Sequence, residues 1–205
     1  MNDRASRPAR LSLLLLLAAA SLNACQPAGG EQSAEGQLAG SSVGGPFSLV
    51  DQDGKRVRDT DFTGRYRLIY FGFANCPDVC PVDLQVIGAG LKRFEADDAE
   101  RAAKVQPIFI TVDPARDTPE VLKAYVPNFH PRLIGLTGSE AEIEAAKKEF
   151  AVYGMKMEPA SPGGAYNVNH SRIIFLFGPA GQPIEMVPHD QGPEAVAAVL
   201  DRFVR

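Results

Sequence analysis

Cysteine and histidine are scarce, with three of each in 205 residues. A zinc-ribbon array or a disulfide scaffold would need more, so any metal or redox chemistry must rest on a few named side chains. Excess positive charge is missing as well: 21 Lys and Arg stand against 25 Asp and Glu, for a net charge of -4. No basic field exists to hold a polyphosphate partner, which argues against nucleic-acid binding. A bias toward disorder or fibres is also absent, since 45% hydrophobic and 22% charged residues are ordinary globular values. The apolar block at residues 11–20 is interrupted by Ser12 and falls short of the roughly 18 residues that a bilayer span needs.

That block follows Arg4, Arg7 and Arg10, giving the charged and apolar regions of a secretion signal. Leu22-Asn23-Ala24-Cys25 comes next and resembles the lipobox of bacterial lipoproteins, in which the leader is cut before the Cys and that thiol is acylated. The alternatives are an ordinary signal peptide with an incidental Cys, or a permanent helical anchor. Acylation of Cys25 would make the chain a membrane-anchored lipoprotein of the bacterial cell envelope, with its domain on the periplasmic side, outside the cytoplasm. Residues 26–45 are rich in Gly, Ser, Ala and Gln with hardly any large apolar residue, the composition of a flexible tether. The expected organisation is a leader over 1–24, a lipidated Cys and tether over 25–45, and one domain over 46–205.

No repeat or second linker divides that domain. Asp53-Gly54, able to take positive φ, predicts a β-hairpin at its start. Residues 67–73 and 105–112 are nearly all apolar and β-prone, the pattern of central strands covered on both faces. Leu84, Ile87, Leu91 and Phe94 recur at helical spacing; Thr118-Pro119 supplies an N-cap and a first-turn Pro. Ser139 and Glu142 form a capping box ahead of Ile143, Ala146 and Phe150. A short strand at 133–136 separates these last two helices. Residues 173–177 and 183–187 bracket Gly178-Pro179-Ala180-Gly181 as a second hairpin, and Pro193 opens a last helix burying Val196, Leu200 and Phe203. Parallel strands with helical crossovers, then an antiparallel hairpin and a helix, predict an α/β thioredoxin-like three-layer fold with an N-terminal β-hairpin and insertions. A flavodoxin-like sheet is the alternative.

Cys76-Pro77-Asp78-Val79-Cys80-Pro81 falls between the strand ending at Phe73 and the helix after it, at the carboxyl end of a parallel strand where α/β folds place their sites. A helix starting at Pro77 would put Pro81 inside it, so the reading is a turn over 76–80 and a helix whose first residue is Pro81. Both thiols then lie beside a helix N-terminus, which favours thiolate. They could close a disulfide, or chelate one soft ion, and spacing does not rank the two. His170 precedes the strand at 173–177 and so would emerge beside the Cys turn, where thioredoxins place a cis-Pro. Two thiolates and an imidazole make a set that copper accepts, Cu(I) through sulfur and Cu(II) through nitrogen.

Four ordered motifs now resemble the SCO/SenC family of copper proteins. They are Phe71-Gly72-Phe73-Ala74-Asn75-Cys76-Pro77-Asp78-Val79-Cys80-Pro81, Thr111-Val112-Asp113-Pro114-Ala115-Arg116-Asp117-Thr118-Pro119, Ile134-Gly135-Leu136-Thr137-Gly138 and Val168-Asn169-His170-Ser171. The resemblance covers essentially all of 46–205. It implies a thioredoxin-like, membrane-tethered protein that binds copper through Cys76, Cys80 and His170. It further implies a role in assembling the dinuclear copper centre of cytochrome c oxidase subunit II, with another copper chaperone as a possible donor. The family usually carries Asp before the ligand His where this chain has Asn169, so an outer carboxylate that would orient the imidazole is missing.

Met155 and Met157 could offer thioethers to Cu(I), though exposed or gap-filling Met is the plainer reading. His130 and His189 lie in Pro-containing loops and read as solvated. Asp113 and the Arg116-Asp117 pair read as loop-fixing, because no second carboxylate stands at an acid-base spacing. Three functions compete: a copper metallochaperone, a thiol-disulfide oxidoreductase acting on a copper-site apoprotein, and a peroxiredoxin-like peroxidase. The first needs both Cys and His170; exchange needs only Cys76 and Cys80.

Overall fold

The structure is a computed structural model and describes residues 35–159, 161 and 164–205. The strands β1 (Ser48–Asp51), β2 (Arg56–Arg58), β3 (Tyr66–Gly72), β4 (Val105–Thr111), β5 (Ile134–Thr137), β8 (Ile174–Phe177) and β9 (Pro183–Met186) form one sheet. Their order across it is β2-β1-β5-β4-β3-β8-β9. β3, β4 and β5 run parallel, whereas β8 is antiparallel to β3 and β9 to β8. That antiparallel pair beside the central strand excludes the flavodoxin-like alternative and matches the thioredoxin-like expectation.

β3 is buried at all seven positions, as its apolar run requires for a strand paired on both edges and covered on both faces. Alternation then separates its side chains. Phe71 turns toward Phe150, the residue that ends α4 (Glu140–Glu149), with ring centroids 5.3 Å apart. Tyr70 turns to the other face, where its hydroxyl meets α1 (Val79–Asp97). On that face α1 is gripped on two sides. A Cβ on Gly90 would come within 2.5 Å of Val196 in α5 (Pro193–Phe203), and one on Gly88 within 2.4 Å of the Phe129 carbonyl. Glycine at both places lets the helix that carries Cys80 seat closely, which outweighs its cost of roughly 0.5–1 kcal/mol in a helix interior.

The local signals act as read. Gly54 has φ +78 in the first hairpin, and Thr118 caps α3 (Pro119–Tyr125). Ser139 and Glu142 exchange backbone and side-chain bonds ahead of α4. Three details differ. α1 starts at Val79, so Pro81 is inside the first turn, where its missing N–H leaves no bond unmade. A short helix α2 (Ala99–Ala103) follows α1, and an antiparallel ribbon of β6 (Gly154–Lys156) and β7 (Val168–His170) stands apart from the main sheet.

The expected boundary at 46 also moves. Leu38 is buried and its N–H donates to the Ile184 carbonyl at 2.9 Å, while Gly44 N–H donates to the Glu149 carbonyl at 2.8 Å. A segment poor in apolar residues is held by backbone bonds, Leu38 and the partly buried Val43, which composition does not register. Any tether therefore ends before Gly36. Cys25 and the leader lie outside the described residues. Among those described, no helix is long and apolar enough to cross a membrane.

Candidate metal centre

Three elements converge at the carboxyl end of β3. Cys76 sits in the loop after it, Cys80 in the first turn of α1, and His170 at the end of β7. The loop is pinned at its start, since Ala74 N–H donates to Asp117 Oδ2 at 2.8 Å and Cys76 N–H to the Phe73 carbonyl at 3.3 Å. Its end is pinned by Cys80 N–H, which donates to Cys76 Sγ at 3.3 Å. The free N–H of the helix terminus thus serves Cys76, which is half-buried, while Cys80 is buried.

His170 Nδ1 lies 2.9 Å from the Ser171 carbonyl. A carbonyl only accepts, so Nδ1 carries the proton and Nε2 is left with a lone pair. Nε2 faces Cys80 Sγ at 3.1 Å. The ring packs edge-on to Phe73 at 5.7 Å and to Tyr70 at 6.2 Å between centroids. The two Sγ and the imidazole nitrogen all fall within 4.8 Å of one another. Thiolate and imidazole bonds of about 2.0–2.3 Å put trigonal ligands roughly 3.5–4 Å apart, so a small adjustment that opens the 3.1 Å Cys80–His170 pair and draws in any wider pair sets the three around one ion. A pair of soft thiolates with one nitrogen suits copper in either oxidation state.

Burial dominates the protonation of Cys80 and His170. It pushes the Cys80 thiol well above the usual cysteine range and draws the His170 imidazole below its ordinary value. The thiolate expected at Cys80 from the helix terminus is therefore overridden by desolvation, and Cys80 S–H donates to a neutral imidazole. Binding a metal must expel that proton. Above about pH 6.5 the imidazole adds no further proton, so metal affinity of the reduced protein should rise at least about tenfold per pH unit up to pH 8. A buffered Cu(I) competition titration measures this, and a flat profile would mean that Cys80 is no ligand.

Asn169 is exposed on β7 and pairs with Met155, so it faces away from its neighbour His170. The imidazole-orienting role sought at 169 falls instead to the Ser171 carbonyl. Met155 and Met157 are 51% and 43% exposed, on the ribbon face opposite His170. The structure brings neither to the three donor atoms.

Asp113 and Asp117 are fully buried and fix loops, as expected of them. Asp113 pairs with Arg116 and accepts from Tyr166 Oη at 2.8 Å; Asp117 accepts from Thr111 Oγ1 at 2.6 Å and ties down Ala74. Arg116 also stacks on the Tyr166 ring at 3.9 Å. His130 is buried against Glu95 rather than solvated, and burial lowers its pKa. His189 is similarly enclosed, with Nε2 3.4 Å from Asp83 Oδ1 but without hydrogen-bond geometry. Asp83 itself, with Tyr70 and Arg172 bound to it, escaped sequence reasoning. Its place one turn after Cys80 among apolar helix positions was the available signal.

The SCO1/SenC family profile matches residues 35–205. The chain is 42% identical over 144 residues to the mitochondrial protein SCO1 of Saccharomyces cerevisiae, covering 70% of this chain and 48% of that one. It spans about half the length of such mitochondrial relatives. It is 38% identical over 181 residues to SenC of Rhodobacter capsulatus, covering 88% of this chain and 76% of SenC. Among solved structures, Bradyrhizobium japonicum ScoI with copper bound superposes with a TM-score of 0.71 at 40% identity, over 79% of this chain and 99% of ScoI. A family profile matched from residue 35 to 205 makes this chain a member of the SCO1/SenC family.

Proposed function

We propose that this chain is a copper metallochaperone, carried on a lipidated Cys25 at the periplasmic face of a bacterial membrane, that assists assembly of the dinuclear copper centre of cytochrome c oxidase subunit II. The observation that carries it is the approach of Cys76 Sγ, Cys80 Sγ and an imidazole nitrogen of His170 to within 4.8 Å of one another in a half-buried setting, with Nε2 3.1 Å from Cys80 Sγ. Family membership and the copper held by a solved relative support the choice of metal. Copper is cargo in this reading. A half-exposed Cys76 gives an incoming acceptor thiol a first point of attack on the ion, after which Cys80 and His170 release it stepwise. Copper-loaded protein mixed with reduced, metal-free subunit II copper domain should transfer the ion and generate the absorption of the dinuclear centre. If the loaded protein gives up none, while the copper-free dithiol form makes an oxidised subunit II competent for free copper, delivery is wrong.

That second outcome belongs to the thiol-disulfide reductase reading, which one observation favours. Both thiols are free, one half-buried and one buried. In exchange, Cys76 thiolate would attack a partner disulfide, forming a mixed disulfide and releasing one partner thiol. Cys80 would then attack Cys76 Sγ, forming the internal disulfide and releasing the second thiol.

A further inference from the structure

We propose that Asp83 is a positioning residue for the metal centre: its carboxylate clasps the helix carrying Cys80 to the chain segment carrying His170. The inference rests on the copper reading above.

Asp83 is 1% exposed, in α1 three residues after Cys80 and so on the same face of the helix. Its Oδ2 accepts from Tyr70 Oη at 2.9 Å and from Arg172 Nε at 3.0 Å, and its Oδ1 accepts from Arg172 Nη2 at 2.6 Å. The guanidinium therefore engages both oxygens in a fork, which fixes direction as well as distance. Arg172 stands two residues after His170. Between them, Ser171 accepts from the His170 ring and is itself tied to Tyr153, through its N–H at 2.9 Å and its Oγ at 3.0 Å. Tyr70, the other donor to Asp83, is one of the two aromatic walls of the imidazole. One carboxylate thus reaches His170 by two routes, through the chain at Arg172 and through the wall at Tyr70, while sharing a helical turn with Cys80.

Stability does not explain a carboxylate here. An apolar side chain of similar volume commonly serves a buried site as well as an ion pair does, and the pair costs desolvation. What an apolar residue could not do is hold the Arg172 fork. The spacing between Cys80 Sγ and His170 Nε2 depends on two segments that are 90 residues apart in sequence, and nothing else among the described side-chain contacts bonds α1 directly to residues 171–173.

The test uses full-length protein in detergent, with Cu(II) as the probe. Asp83→Asn keeps shape but loses the doubly anchored fork, and Arg172→Gln loses it from the half-exposed side. Each should lower copper affinity by about 10–100-fold, the loss typical of an outer-shell partner. Each should also displace the thiolate charge-transfer bands at temperatures well below unfolding. The double variant should be no worse than either single one, and Asp83→Glu should retain the wild-type spectrum. A merely structural role would lower Tm and leave the bands in place. In the copper-free protein, nuclear Overhauser contacts between the His170 ring and Phe73 should weaken in both variants.

Wild-type affinity and bands in folded Asp83→Asn, with the ring contacts intact, would overturn the inference and leave the copper reading standing. Were the wild type itself to take up no copper, the copper reading would fall and the metal role of Asp83 with it. If Asp83→Asn does not fold, Arg172→Gln decides by the same bands and contacts.

Discussion

Replacing His170 with Ala is expected to lower Cu(II) affinity by more than the roughly 10–100-fold that loss of an outer-shell partner costs, and to erase the thiolate charge-transfer bands. The imidazole is the sole nitrogen donor in the set, and its Nε2 lone pair is held toward Cys80 Sγ at 3.1 Å by the bond that Nδ1 makes to Ser171. Neither thiol is altered, so exchange with a small disulfide should proceed at a rate set by thiolate fraction and access. Removing the imidazole also removes the acceptor of the Cys80 S–H and the ring packed edge-on to Phe73 and Tyr70. In cells, oxidase activity under limiting copper should fall as far as with Cys76→Ser. Normal oxidase activity from a variant that no longer holds the ion would move the function from delivery to reduction.

Oxidation gives the second large effect. In the proposed site, a bond between Cys76 and Cys80 would consume both thiolate ligands, so the oxidised protein should bind no copper at the affinity of the dithiol form. Reduction should restore one ion per chain. Cys80 N–H donates to Cys76 Sγ at 3.3 Å, which holds that sulfur at the helix terminus. Copper titrations before and after thiol reduction measure the difference. Equal affinity in the two states would place the ligands elsewhere, with the exposed Met155 and Met157 the first to test.

Much of this was legible in the chain. The apolar runs at 67–73 and 105–112 form β3 and β4, and Ser139 and Thr118 cap α4 and α3, because each is a local signal decided by neighbouring residues. Cys76, Cys80 and His170 could be named because strand, turn and helix punctuate the two thiols and because the four motifs resemble one family. What sequence did not reveal is long-range. The β6–β7 ribbon pairs three residues with three others across a Gly- and Pro-rich loop, too short a pattern to declare itself. Asp83 reads as one more polar helix position until Tyr70, Arg172 and His189 arrive from other elements. The protonation of Cys80 is hidden for a related reason: the helix terminus is visible in sequence, whereas the burial that outweighs it is a property of the packed core.

Copper-edge X-ray absorption on the reduced, copper-loaded protein tests the shared site most directly. One copper per chain with two sulfur neighbours and one nitrogen neighbour from imidazole is the expected result, with the nitrogen lost in His170→Ala and a sulfur lost in Cys76→Ser or Cys80→Ser. A first shell without sulfur, or one that the three substitutions leave unchanged, would contradict it.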